Sequence, residues 1–155
     1  MRSVHVALDL PGTDPETAFD GIREFERYPD LAPDVRSVVA HDDSSDWEVY
    51  FRNGILRWTE KDTEDREQRV ITFAQDDGDF EDFGGEWRVL PQDDGCRIAF
   101  RADFDFGIPS LVGILDPVAE RVIKETIARV VKGMFDGARV VDDEQLTRAL
   151  AAAGV

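Results

Sequence analysis

A single cysteine, Cys96, stands in the chain, which excludes an internal disulfide and the cysteine-rich zinc motifs. Histidine is nearly as scarce. His5 and His41 are isolated, with no third ligand at useful spacing, so no metal site is expected. Lysine is reduced to Lys61, Lys124 and Lys132, and the 18 basic residues are scattered singly among 34 acidic ones. A formal net charge of −16 without a basic stripe repels phosphate backbones and anionic bilayers, which argues against nucleic-acid and membrane-surface partners. No apolar run approaches the roughly 20 residues of a membrane-spanning helix. The first ten residues, MRSVHVALDL, alternate polar and apolar where a secretory signal is continuously apolar, so a cytoplasmic location is the default expectation. No Gly-rich phosphate loop or dinucleotide fingerprint is present, and no nucleophile motif surrounds Ser44, Ser45, Ser110 or Cys96.

The residues that are present point to a folded interior. The chain has 155 residues, a length that suits one domain, and 42% of them are hydrophobic, including ten Phe and three Trp. Ser3 to Leu10 alternates strictly, with Val4, Val6, Leu8 and Leu10 on one face, and reads as a half-buried strand ended by Pro11-Gly12. Thr13-Asp14-Pro15-Glu16 has the chemistry of a helix start, and Ala18, Phe19, Ile22 and Phe25 supply that helix with an apolar stripe. Pro29 and Pro33 leave room only for a second short helix after it.

From Val35 to Phe106 the period is two. The expected strands are Val35–Ala40, Trp47–Asn53, Ile55–Asp62, Arg69–Gln75, Phe80–Leu90 and Cys96–Phe106. Between them lie short acidic or Gly-containing links, including Asp42 to Asp46 and Asp76-Asp77-Gly78, which read as hairpin turns and not as calcium loops. After Gly107-Ile108-Pro109 the period changes. Leu111, Leu115, Val118, Val122, Ile123, Ile127, Val130, Val131, Met134, Phe135 and Ala138 recur at three- and four-residue spacing, as in one long amphipathic helix with a kink near Asp116-Pro117. The expected fold is α+β: a seven-stranded curved antiparallel sheet wrapped around a long C-terminal helix, with two short helices after the first strand. Residues 1–141 form the expected domain, and 142–155 a tail that is either a short helix or frayed. A curved sheet closing on one helix encloses a cavity more readily than a solid core.

This order resembles the helix-grip fold of the START-like superfamily, in particular its bacterial branch of polyketide cyclase/dehydrase and coenzyme Q-binding proteins. The resemblance runs from Val4 to Phe135. It rests on Glu26-Arg27-Tyr28-Pro29-Asp30-Leu31, Leu56-Arg57-Trp58-Thr59, Gly78-Asp79-Phe80 with Gly85-Glu86-Trp87-Arg88-Val89, and Cys96-Arg97-Ile98 leading to Asp103-Phe104-Asp105-Phe106. It implies an internal apolar cavity holding a small aromatic or polyketide-like molecule, with cyclisation or dehydration promoted without a cofactor. The alternative it implies is a non-catalytic carrier of a quinone or other lipid. An acyl carrier protein is a candidate partner, and monomer and homodimer are both open. The chain also departs from a known pattern. Tetracenomycin-type aromatase/cyclases carry Ser and Arg two and four positions beyond the tryptophan matched by Trp58, where this chain has Glu60 and Asp62.

Two residues are candidate proton carriers. Glu60 shares strand parity with Leu56 and Trp58, so a regular strand turns it toward the cavity, where burial would raise its pKa. The competing reading is an edge residue paired with Lys61 or an Arg. Tyr28 matches the entrance aromatic of the family and either hydrogen-bonds a ligand carbonyl or pins the helix pair. Trp58, Phe83, Trp87, Phe100 and Phe104 lie on the apolar parity of their strands, and Ile127 on the helix stripe. These six are the expected wall, with ordinary core packing as the alternative. Arg57, Arg88 and Arg101 fall on the opposite parity and are expected to pair with surface acids.

Overall fold

The computed structural model of the chain describes residues 1–155. Strand β1, Arg2–Pro11, buries Val4, Val6, Leu8 and Leu10 and turns the residues between them outward, as a sheet with one covered face requires. Helix α1, Pro15–Ile22, is capped by Asp14, whose side chain accepts from the Thr17 N–H at 3.1 Å, and it buries Ala18, Phe19 and Ile22. A single 3₁₀ turn, Phe25–Arg27, leads into the short α2, Tyr28–Leu31. Pro33 ends it by forcing Ala32 into extended backbone.

Six strands follow: β2 (Val35–Ala40), β3 (Ser44–Phe51), β4 (Gly54–Asp65), β5 (Val70–Gly78), β6 (Asp82–Gln92) and β7 (Gly95–Asp105). Each pairs antiparallel with the next, and β1 closes against β7. Helix α3, Val112–Met134, then packs its apolar stripe on the concave face. The chain turns at Gly137, whose φ of 79° suits a residue without Cβ, into β8 (Arg139–Val140) and α4 (Glu144–Ala152).

The sheet has eight strands in the order β2-β3-β4-β5-β6-β7-β1-β8, one more than the alternation pattern predicts. The extra strand is two residues long, Val140 opposite Leu8 and Arg139 opposite Asp9, too short to carry a period. Two of the expected turns are also strand. Ser44, Ser45 and Asp46 begin β3, and Asp76, Asp77 and Gly78 end β5, because their polar side chains are tolerated on a sheet whose backbone bonds are satisfied. Pro117 does not interrupt α3, which continues through it.

Residues 142–155 dock on the same core through Leu146 and Leu150. Asp143 holds the start of α4, accepting from the Leu146 N–H at 3.0 Å and from Lys124 Nζ at 2.8 Å. Asp143→Ala is therefore expected to lower stability by about 1–2 kcal/mol, the usual cost of a lost N-cap. Urea unfolding should show this as a lower midpoint at unchanged slope.

Candidate functional site

The inward parity of β3 and β4 lays three residue pairs side by side: Val49 opposite Leu56, Trp47 opposite Trp58, and Ser45 opposite Glu60. The two indoles stack with ring centroids 5.8 Å apart and planes 2° from parallel. Strand β4 is held close to β5 at this point by Gly78, where a Cβ would stand 2.4 Å from that of Trp58. A register shift between Thr59 and Glu60 lies next to it. Phe73, Phe83, Trp87 and Phe100 continue the aromatic surface across β5, β6 and β7, with Trp87 edge-on to Phe100 at 4.9 Å. Phe25 and Tyr28 close one side, and Ala119, Val122, Ile123, Thr126 and Ile127 of α3 form the roof.

The cavity measures about 90 Å³. At roughly 10–15 Å³ of such space per water and about 30 Å³ per water in the liquid, this is room for about six waters, the bulk of one or two fused rings. Of the 19 lining residues only Glu60 and Thr126 are neither aliphatic nor aromatic, and no cation is among them.

Glu60 is 3% exposed. Its Oε1 accepts from Trp58 Nε1 at 2.8 Å. Burial holds its carboxyl well above the usual carboxylate range, reinforced by the neighbouring Asp62, and the Trp58 N–H only partly opposes this. Asp62 lies two residues on, on the same side of β4. Its Oδ2 accepts from Ser45 Oγ at 2.6 Å, and Ser45 Oγ in turn accepts from Trp47 Nε1 at 2.8 Å. Asp62 Oδ1 is buried with no other partner, so a protonated Glu60 has an acceptor waiting. The result is a polar chain, Trp58–Glu60–Asp62–Ser45–Trp47, set in the sheet wall. The alternative of a surface pair with Lys61 does not apply to a side chain this deep.

Tyr28 lines the cavity with its ring, but its hydroxyl donates to the Ile22 carbonyl at 2.6 Å and the residue is 1% exposed. Burial, and then the nearby Glu60, push its pKa well above the usual tyrosine value. This hydrogen bond ties α2 to the end of α1, the helix-pinning arrangement of the two expected for Tyr28. Trp58, Phe83, Trp87, Phe100 and Ile127 all face the cavity. Phe104 does not. It is fully buried beyond the end of the cavity, packed on Phe80 and Phe106. Parity tells which face a side chain takes but not how far along the strand the cavity reaches.

Arg57, Arg88 and Arg101 lie outside, Arg57 on Glu48 at 2.7 Å, Arg88 on Glu86 at 3.0 Å, and Arg101 between Glu86 and Asp103. Thr126, Ser45, Asp62 and Trp47 are site residues that the sequence pattern alone does not single out. Thr126 carries a usable signal all the same: it is four positions from both Val122 and Val130, in phase with the apolar stripe of α3.

The known relatives agree with this fold. Residues 12–131 match the family model for polyketide cyclase / dehydrase and lipid transport. No curated protein matches the sequence. Among solved structures, a Thermus thermophilus protein is similar with a TM-score of 0.74 at 24% identity, covering 98% of this chain and 99% of its own. The ZhuI aromatase/cyclase of Streptomyces sp. R1128 is similar with a TM-score of 0.72 at 18% identity, covering 99% of both. A START superfamily protein of Mycobacterium smegmatis gives 0.70 at 14% identity, over 85% of this chain and 97% of that one. At these identities the likeness is one of fold. No helix of the chain is long and apolar enough to cross a membrane. With a matched segment spanning most of the sequence and the helix-grip architecture throughout, the chain belongs to the polyketide cyclase/dehydrase and lipid transport family.

Proposed function

We propose that the protein binds an aromatic or polyketide-like molecule in the cavity between sheet and α3 and promotes its cyclisation or dehydration, with Glu60 as the proton carrier. The observation that carries this reading is a single ionisable carboxyl on an otherwise apolar lining, buried and oriented by the Trp58 N–H. An acid held neutral in such surroundings can protonate a carbonyl or hydroxyl oxygen and then act as the matching base. In dehydration, the Glu60 acid gives its proton to the leaving hydroxyl, which departs as water. The carboxylate so formed takes the proton from the adjacent carbon, and that C–H electron pair becomes the new double bond. Glu60 ends as it began, and the net loss is one water. The aromatic walls contribute by restricting a flexible chain to folded conformers near the reacting geometry.

The test is reconstitution with a minimal polyketide synthase that releases a reactive poly-β-ketone. Added protein should shift the products toward one cyclised, dehydrated species. An unchanged product profile, with an intact lipid or quinone recovered from the purified protein by native mass spectrometry, would instead support a carrier.

A further inference from the structure

One polar atom of the cavity is left without a partner. Thr126 Oγ1 is buried, its residue is 8% exposed, and neither the protein backbone nor any side chain receives its proton. A threonine inside a helix ordinarily returns its hydroxyl proton to the carbonyl four residues earlier. Here that would be Val122, and no such bond is made. Thr126 lines the cavity between Ile123 and Ile127, on the helix side, whereas Glu60 enters from the sheet. An apolar guest would leave this hydroxyl desolvated and unpaired, an arrangement that costs binding energy. A guest with an oxygen at that point removes the cost.

We infer that the Thr126 hydroxyl is the oxygen-recognition group of the cavity, donating to a carbonyl or hydroxyl of the bound molecule and so selecting oxygenated rings over hydrocarbons of the same shape. This deepens the proposed function and rests on it. The corresponding ligand class is an aromatic or partly aromatised ring system carrying at least two oxygens, one met by Thr126 from the helix and one by Glu60 from the sheet. Thr126 thereby fixes which end of the molecule reaches the acid.

The test uses 2-naphthol and 2-methylnaphthalene, equal in shape and differing in one hydroxyl, with equilibrium dialysis against wild type, Thr126→Val and Thr126→Ser. Thr126→Val keeps the shape of the side chain. It should weaken 2-naphthol about 3- to 10-fold, the range of one net hydrogen bond, and leave 2-methylnaphthalene bound as tightly or more tightly, because the unpaired hydroxyl is gone. Thr126→Ser should retain the preference. Thermal melting of Thr126→Val should be unchanged or raised, because no intramolecular bond is lost. A naphthol-to-methylnaphthalene ratio equal to that of wild type would overturn the assignment, as would a lowered melting temperature, which would place the hydroxyl in a structural bond. If wild type binds neither probe, the cavity reading itself falls. If it binds both and only the ratio fails to move, the fault lies with Thr126 alone.

Discussion

Glu60→Gln is expected to make the protein more stable than wild type by a margin that widens as pH rises. The folded-state pKa of Glu60 is raised, by burial first and by Asp62 second. Below the unfolded value of about 4.3, both states carry the proton and burial of the carboxyl is at its least costly. Above it the unfolded chain releases the proton while the folded chain keeps it, so unfolding is favoured progressively until the buried group itself titrates. The slope is at most about 1.4 kcal/mol per pH unit. Glutamine has no proton to lose, and its amide can still accept from Trp58 and donate toward Asp62. The two proteins should therefore melt together near pH 4 and separate by about 3–5 °C per pH unit above it, from the usual conversion for a chain of this length.

Other carboxylates work in the opposite sense. Asp9 beside Arg97, Asp46 beside His41 and Asp103 beside Ser3 and Arg101 are held below their usual range, and the stability they contribute is lost as pH falls. They are common to both proteins and cancel in the difference. Parallel melting curves from pH 4 to 8 would show that Glu60 titrates as an ordinary surface acid. The same substitution should lower the rate of cyclisation or dehydration by about 10²- to 10⁴-fold, the usual contribution of a positioned proton carrier. Binding of 2-naphthol should persist, because Thr126 and the aromatic walls are untouched. Stability gained together with rate lost is the signature of a strained functional group.

The inward turn of Trp58, Phe83, Trp87 and Phe100 and the place of Glu60 were legible because all follow from period two, whereas Phe104 shares the parity but lies outside the cavity lining. Once Leu56 and Trp58 face inward, so does Glu60. The polar chain behind Glu60 was not legible. Ser45 lies in a run of aspartates and serines that reads as a turn, and only its pairing opposite Glu60 shows it as a fully buried strand residue. Asp62 has the same parity as Glu60, but nothing in sequence spacing tells that one of its oxygens is left for a neighbouring proton. Tyr28 is a different case. Its ring does line the cavity, and its hydroxyl is engaged by a backbone carbonyl six residues earlier, a contact made only when α1 and α2 meet. Strand β8 depends likewise on where α3 delivers the chain, which no local pattern records.

The second large effect is expected from filling the cavity. Ala119 is 3% exposed and faces the cavity from α3, beside Val122 and Ile123. Ala119→Phe would place a ring where the guest is proposed to sit. In a solid core such a change costs about 1–3 kcal/mol through overpacking. In an empty apolar space it gains buried area, and cavity-filling substitutions commonly stabilise by about 0.5–2 kcal/mol. Ala119→Phe is therefore expected to unfold at equal or higher urea concentration while weakening 2-naphthol at least about tenfold, since occupant and ligand cannot share about 90 Å³. The pairing of the two readouts is what decides. Strong destabilisation would mean that the interior has no room to give, and the proposed binding site would go with it. Unchanged stability with undiminished naphthol binding would put the ligand somewhere else on the protein, and the roles given to Glu60 and Thr126 would then have no substrate to act on.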